Sequence, residues 1–75
     1  MVKIIFTRHA LEKLGQRSIS REMVYSAIDA PEKLIMESDK FLAFYKVGKK
    51  YLKVIFVRED DRIVVITQYF TNSLP

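Results

Sequence analysis

Apolar residues recur along this chain in two rhythms. Between Thr7 and Asp29 they fall at helical spacing, and from Lys33 onward they follow strand periodicity. Lys3-Ile4-Ile5-Phe6 opens the chain as a short β-branched run, which predicts a strand. Thr7 then predicts an N-cap for a helix over Arg8 to Gln16, with Ala10, Leu11 and Leu14 on its apolar face. Gly15 sits where it would help to end that helix. Ser18-Ile19-Ser20 breaks the pattern. Ser20 caps a second helix over Arg21 to Asp29, and Glu22 in its first turn suits the helix dipole. Met23, Val24, Ala27 and Ile28 form its buried stripe. Pro31 stops it by pushing Ala30 out of the helical region.

Four strands are expected after that: Lys33 to Glu37, Phe41 to Val47, Tyr51 to Arg58 and Arg62 to Phe70. The short polar turns Ser38-Asp39-Lys40, Gly48-Lys49-Lys50 and Glu59-Asp60-Asp61 imply an antiparallel meander. Parity within each strand separates two faces. Leu42/Phe44, Leu52/Val54/Phe56 and Val64/Ile66 form an apolar set, expected beneath the helices. The other set carries Tyr45, Tyr51, Lys53, Thr67 and Tyr69 among its apolar residues, a mixture that suits a binding surface. Thr71 to Pro75 reads as a frayed tail. The expected fold class is α+β: a β-α-α unit, then a four-stranded antiparallel meander, with both helices on one face of the sheet.

Length and composition narrow the picture. The chain of 75 residues makes a single domain over 1–75. A chain of this size buries only about 60% of its unfolded surface, so its core is small. The hydrophobic fraction of 49% is enough to build one. There is no cysteine and only one histidine, which removes disulfides and thiolate metal sites. No apolar run approaches a membrane span or a signal peptide, so the expectation is a soluble, cytoplasmic protein.

The net charge of +4 suits an anionic partner. Basic residues gather at Arg8/Lys13/Arg17/Arg21 and at Lys46/Lys49/Lys50/Lys53. On the first helix, His9, Lys13, Gln16 and Arg17 fall at i, i+4, i+7 and i+8 and share one face. A basic, titratable stripe beside an apolar one lets a small helix dock on a sheet and still hold an anion.

Five segments recur in a fixed order: Thr7-Arg8-His9-Ala10, Arg17 to Val24, Ala30 to Ile35, Lys50 to Val54, and Val64 to Tyr69. Together they resemble domain-of-unknown-function family four-two-five-eight, with its T-x-H-A signature, its R-G-I-S turn and its final V-V-I-T-x-Y strand. The resemblance covers about residues 4 to 70. The order of elements also resembles the RelE-type toxin fold among small microbial ribonucleases.

That resemblance implies ribonuclease or toxin activity on RNA, held in check by a small antitoxin protein. It places His9 and Arg17 in catalytic positions, and Thr67 and Tyr69 in the last-strand signature. Two positions depart from the pattern. Glu12-Lys13 replaces an arginine midway along the first helix, which passes a cationic role to Lys13, and Ser18 replaces the glycine of R-G-I-S.

Metal-free RNA cleavage needs a base for the 2′-hydroxyl, an acid for the leaving oxygen and cations for the phosphorane. His9 suits a proton role. Arg17, Lys13 and Lys53 are the candidate phosphate clamps. Tyr45, Tyr51 and Tyr69 are candidate stacking or donor groups. No cofactor and no metal are expected. Partners left open are RNA, an antitoxin and a second copy of the chain. The alternative is a non-catalytic RelE-fold module that binds RNA or a protein. In that reading His9 bonds to a neighbouring strand, Arg17 caps helix carbonyls, Lys13 is solvated, and Thr67 and Tyr69 are ordinary strand residues.

Overall fold

A computed structural model describes residues 2–75 of the chain. Its elements are β1 (Lys3–Phe6), α1 (Arg8–Gln16), α2 (Arg21–Asp29), β2 (Lys33–Glu37), β3 (Lys40–Val47), β4 (Lys50–Glu59) and β5 (Arg62–Thr71). Both helices start as the sequence predicts. The Thr7 hydroxyl accepts from the Ala10 amide, and the Ser20 hydroxyl accepts from the Met23 amide.

The end of α1 corrects the expectation for Gly15. The chain leaves the helix at Ser18, which takes a left-handed φ of 55°. The Ile19 amide bonds the Leu14 carbonyl at 2.9 Å and the Ser18 amide reaches the Gly15 carbonyl at 3.4 Å, the bonding pattern of a Schellman motif. Ile19 and Leu14 are both buried in the core beneath it. Serine therefore keeps the turn expected of glycine.

The sheet has five strands, not four, in the order β1-β5-β4-β3-β2. The meander accounts for the last four, paired antiparallel. β1 joins as a fifth, parallel to β5, with Lys3 opposite Arg62 and Phe6 opposite Val65. The sheet is mixed, and the fold class is α+β.

The expected assignment of sheet faces is half overturned. Leu52, Val54 and Phe56 do lie under the helices, but their partners are Tyr45, Ala43 and Phe41 on β3 and Phe70, Gln68 and Val65 on β5. Leu42, Phe44 and Val64 face the other way. The cause is the turns. Each hairpin closes on a two-residue loop, pairing Glu37 with Lys40, Val47 with Lys50 and Glu59 with Arg62. A two-residue loop pairs odd-numbered with even-numbered residues, so parity swaps faces at every hairpin. The first loop residues Ser38, Gly48 and Asp60 have φ of 57°, 64° and 55°, as primed turns need at that position. Lys40 and Lys50 are thus strand residues rather than turn residues.

The core is the layer between this inner face and the helices. Ala10 and Leu14 of α1 and Val24 and Ala27 of α2 are buried against it. Burying a large aliphatic side chain there stabilises the fold by about 1.5–3 kcal/mol. Leu11 is not part of that core, being 42% exposed. β5 runs through Thr71, and Lys33 Nζ on the far strand β2 donates to the Pro75 carbonyl at 3.3 Å, so the chain end returns across the sheet. No helix among the described residues is long and apolar enough to cross a membrane.

Candidate functional site

β1 pairs with β5 only as far as Val65. Beyond that point the outer edge of β5 would be bare, and buried main-chain groups need partners. α1 supplies them. The Thr7 amide bonds the Val65 carbonyl at 3.0 Å, and the Thr7 hydroxyl donates to the Ile66 carbonyl at 3.1 Å while it caps the helix. At the other end of α1, Arg17 Nη1 donates to the Gln68 carbonyl at 2.8 Å. Between them, buried Gln68 donates from Nε2 to the Ala10 carbonyl at 2.9 Å. The first helix is stitched along the last strand at both ends and in the middle.

A β-bulge sets what that edge displays. Ile55 faces Thr67 but Phe56 faces Val65, so Ile66 is an extra residue in β5. Were Ile66 paired as an ordinary strand residue, Thr67 and Tyr69 would continue the inner face of Ile63 and Val65. The bulge turns them outward and sends Gln68 in. Thr67 and Tyr69 thereby join Ile55 and Lys53 on the face away from the helices. Tyr45 stays on the inner face, which removes it from the candidate stacking residues.

His9 Nε2 lies 3.2 Å from the Thr67 hydroxyl, and Arg17 Nη1 lies 3.4 Å from the same oxygen. Arg17 reaches past the strand edge, with its guanidinium 5.7 Å from the Tyr69 ring centroid. Lys53 Nζ is 5.4 Å from the Tyr69 centroid and 5.6 Å from that of Phe44. The register continues the row to Lys33, which pairs with Phe44. Arg17, Tyr69, Lys53, Phe44 and Lys33 thus alternate cation and aromatic across the sheet. The Arg17 guanidinium and the Lys53 ammonium both lie over the Tyr69 ring.

The structure brings together His9, Arg17, Thr67, Tyr69 and Lys53 from the sequence-predicted set. Lys13 stays apart. Its ammonium donates to Gln16 Oε1 at 2.9 Å along the helix. Tyr51 is half-buried on the outer face beside this row, opposite Thr71 and Lys46. Phe44, expected in the helix-facing core, instead belongs to the row, where it is 3% exposed. The cluster lies on an open surface, and no pocket forms among the described residues.

Thr67 gives the histidine two modes. If the neutral ring donates from Nε2 to Thr67, Nδ1 offers a lone pair and serves as a base. If Thr67 donates to Nε2, Nδ1 carries the ring's hydrogen and offers a hydrogen bond to a ligand oxygen. In either case Arg17 donates to Thr67 and holds it in place. His9 is exposed, so a ligand proton can reach the free nitrogen.

The family model described as Domain of unknown function (DUF4258) matches residues 6–70, which include every member of this cluster. No curated protein and no solved structure matches the chain.

Proposed function

The chain belongs to the DUF4258 family, and from that premise we propose that it acts on RNA as a RelE-like ribonuclease, at the bulged end of β5. The observation that carries this reading is the row Arg17, Tyr69, Lys53, Phe44 and Lys33. Single-stranded RNA is held by cations along its phosphates and by aromatic faces under its bases. Cations flanking the accessible Tyr69 ring, beside an exposed imidazole, suit both needs, with buried Phe44 as the floor of the row. Tyr69 offers the half-exposed ring, and Arg17 and Lys53 flank it.

The chemistry is transesterification. The 2′-oxygen attacks phosphorus as His9 Nδ1 takes its proton. The bond to the 5′-oxygen breaks, and on this open surface water protonates that oxygen. The products are a 2′,3′-cyclic phosphate and a 5′-hydroxyl. Arg17 and Lys53 stabilise the charge that grows on the non-bridging oxygens. With a single imidazole and no pocket, turnover is slow.

The test is binding and cleavage of a short unstructured RNA across a salt series. If Arg17, Lys53 and Lys33 each neutralise a phosphate, log Kd rises with log salt at a slope of about 2. Arg17→Ala and Lys53→Ala each lower that slope by about 0.7. Tyr69→Ala weakens binding without changing it. Lys49→Ala, in a hairpin turn, changes neither. His9→Ala leaves binding intact and slows cleavage by about 10²–10⁴-fold. Binding that ignores salt, or that survives loss of both Arg17 and Lys53, rules out this face. Binding without any cyclic-phosphate product leaves a non-catalytic RNA-binding module.

A further inference from the structure

The far edge of the sheet, four strands from His9, carries a second surface that shares Lys33 with the end of the cation row. β2 is the terminal strand of the order and its outer side pairs with nothing among the described residues. Leu34 and Met36 lie on the helix side of the sheet, yet they are 53% and 69% exposed, since α2 packs over β3 and β4. The Ser38-Asp39 loop closes on the Glu37–Lys40 pair. In a two-residue hairpin the closing pair exchanges both its hydrogen bonds, and the pattern then alternates. The main-chain groups of Lys33, Ile35 and Glu37 therefore point to β3. Those of Leu34 and Met36 point out of the open edge.

Edge strands commonly carry charges that repel a second chain. The charges on β2 do the opposite. Its sequence, Lys33-Leu34-Ile35-Met36-Glu37, places opposite charges symmetrically about Ile35. A second copy running antiparallel, with Ile35 facing Ile35 of the partner, sets Lys33 against the partner's Glu37 at both ends. The same register sets Leu34 against the partner's Met36 on the helix side. It also makes Leu34 and Met36 the hydrogen-bonded pairs, which is what their outward main-chain groups require. A parallel in-register copy would set lysine on lysine and glutamate on glutamate.

We propose that β2 is a self-recognition edge, pairing antiparallel with β2 of a second copy about a twofold axis at Ile35 and joining two five-stranded sheets into one. The axis makes the contact isologous and closed, so assembly stops at two. Lys33 has to share its ammonium between the partner's Glu37 and its present acceptor, the Pro75 carbonyl, and three donors allow that. A contact of one short strand falls below the standard interface size, so the dimer is weak.

The experiment is sedimentation equilibrium up to about 1 mM chain, with charge reversals at the two exposed positions. Lys33→Glu and Glu37→Lys each turn two attractive pairs into two repulsive ones and weaken the dimer by about tenfold or more. The double variant, Lys33→Glu with Glu37→Lys, has the wild-type net charge and regains the wild-type dimer. Circular dichroism checks that each variant is folded. Hydrogen exchange gives a second readout: the Leu34 and Met36 amides slow with rising concentration, while amides in the loops do not. A chain that stays monomeric to the top of the range overturns the proposal. So does a double variant as weak as the singles, or exchange at Leu34 and Met36 that ignores concentration.

Discussion

Ser18 shows how much a single residue's backbone decides. It holds φ at 55°, and a Cβ in that region costs roughly 1 kcal/mol. The Schellman bonds from Ile19 and Ser18 and the buried Ile19–Leu14 contact hold it there. Ser18→Gly relieves the strain and is expected to raise the unfolding free energy by about 0.5–1 kcal/mol, read from the denaturant midpoint at unchanged slope. A lower midpoint would show that Ser18 makes interactions of its own. Gln68 poses the reverse case. It is fully buried, its Nε2 is satisfied by Ala10, and its Oε1 has no partner among the described residues. An orphaned buried acceptor costs about 1–3 kcal/mol, while one hydrogen bond contributes about 0.5–1.5. Gln68→Met removes both and keeps the volume, so thermal stability should be equal or higher. A loss above about 1 kcal/mol would mean the Ala10 bond is worth more than the orphan costs. The capping residues Thr7 and Ser20 were legible from sequence because their chemistry is local. Gln68 was not, because only tertiary placement reveals that a polar residue in a strand points inward.

At the scale of elements, the sequence names helices and strands well and their faces poorly. Helix periodicity places Ala10, Leu14, Val24 and Ala27 correctly, since a helix carries its own phase. Strand parity is blind to the relation between strands. That relation lives in the loops, and three two-residue turns each swap odd for even. The Ile66 bulge then swaps the phase once more inside β5. Thr67 and Tyr69 therefore stand with Lys53 on the outer face for a reason no alternation pattern contains. Deleting Ile66 removes the extra residue and its carbonyl bond to Thr7 but leaves Val65 facing in, Thr67 and Tyr69 out and Gln68 in. The expected result is a folded variant that keeps RNA binding and loses about 0.5–1.5 kcal/mol of stability with the hydrogen bond. Loss of RNA binding in a folded deletion variant would show that the local geometry of the bulge, and not only its phase, places the cluster. Of the predicted site residues, His9 and Arg17 were readable because they share a helix face. Lys13 shares that face too, but its short-range bond to Gln16 takes it out of the cluster.

At the scale of the molecule, the sheet runs from β1 at one edge to β2 at the other, with the His9 cluster near the first and the self-complementary strand at the second. A dimer through β2 would leave the two clusters at opposite ends of one continuous sheet. Seven strand spacings would then separate the two β5 strands, roughly 35 Å. One extended RNA of more than about ten nucleotides could reach from one to the other.

β1 lies parallel to β5, and this governs when the molecule can form. Thr7 and Ile66, which bond to each other, are 59 positions apart. During synthesis β2, β3 and β4 can hairpin as they leave the ribosome, since each is joined by a tight turn. β1 and α1 emerge first of all and have nothing to pair with until β5 is out. His9 and Arg17 wait for Thr67, which comes within the last strand to be made. A nascent chain halted with β5 still in the exit tunnel should stay protease-sensitive at its N-terminus and bind no RNA, and release of β5 should confer both protection and binding together. The order of the strands acts as a timer, since the His9 cluster cannot assemble before β5 has emerged.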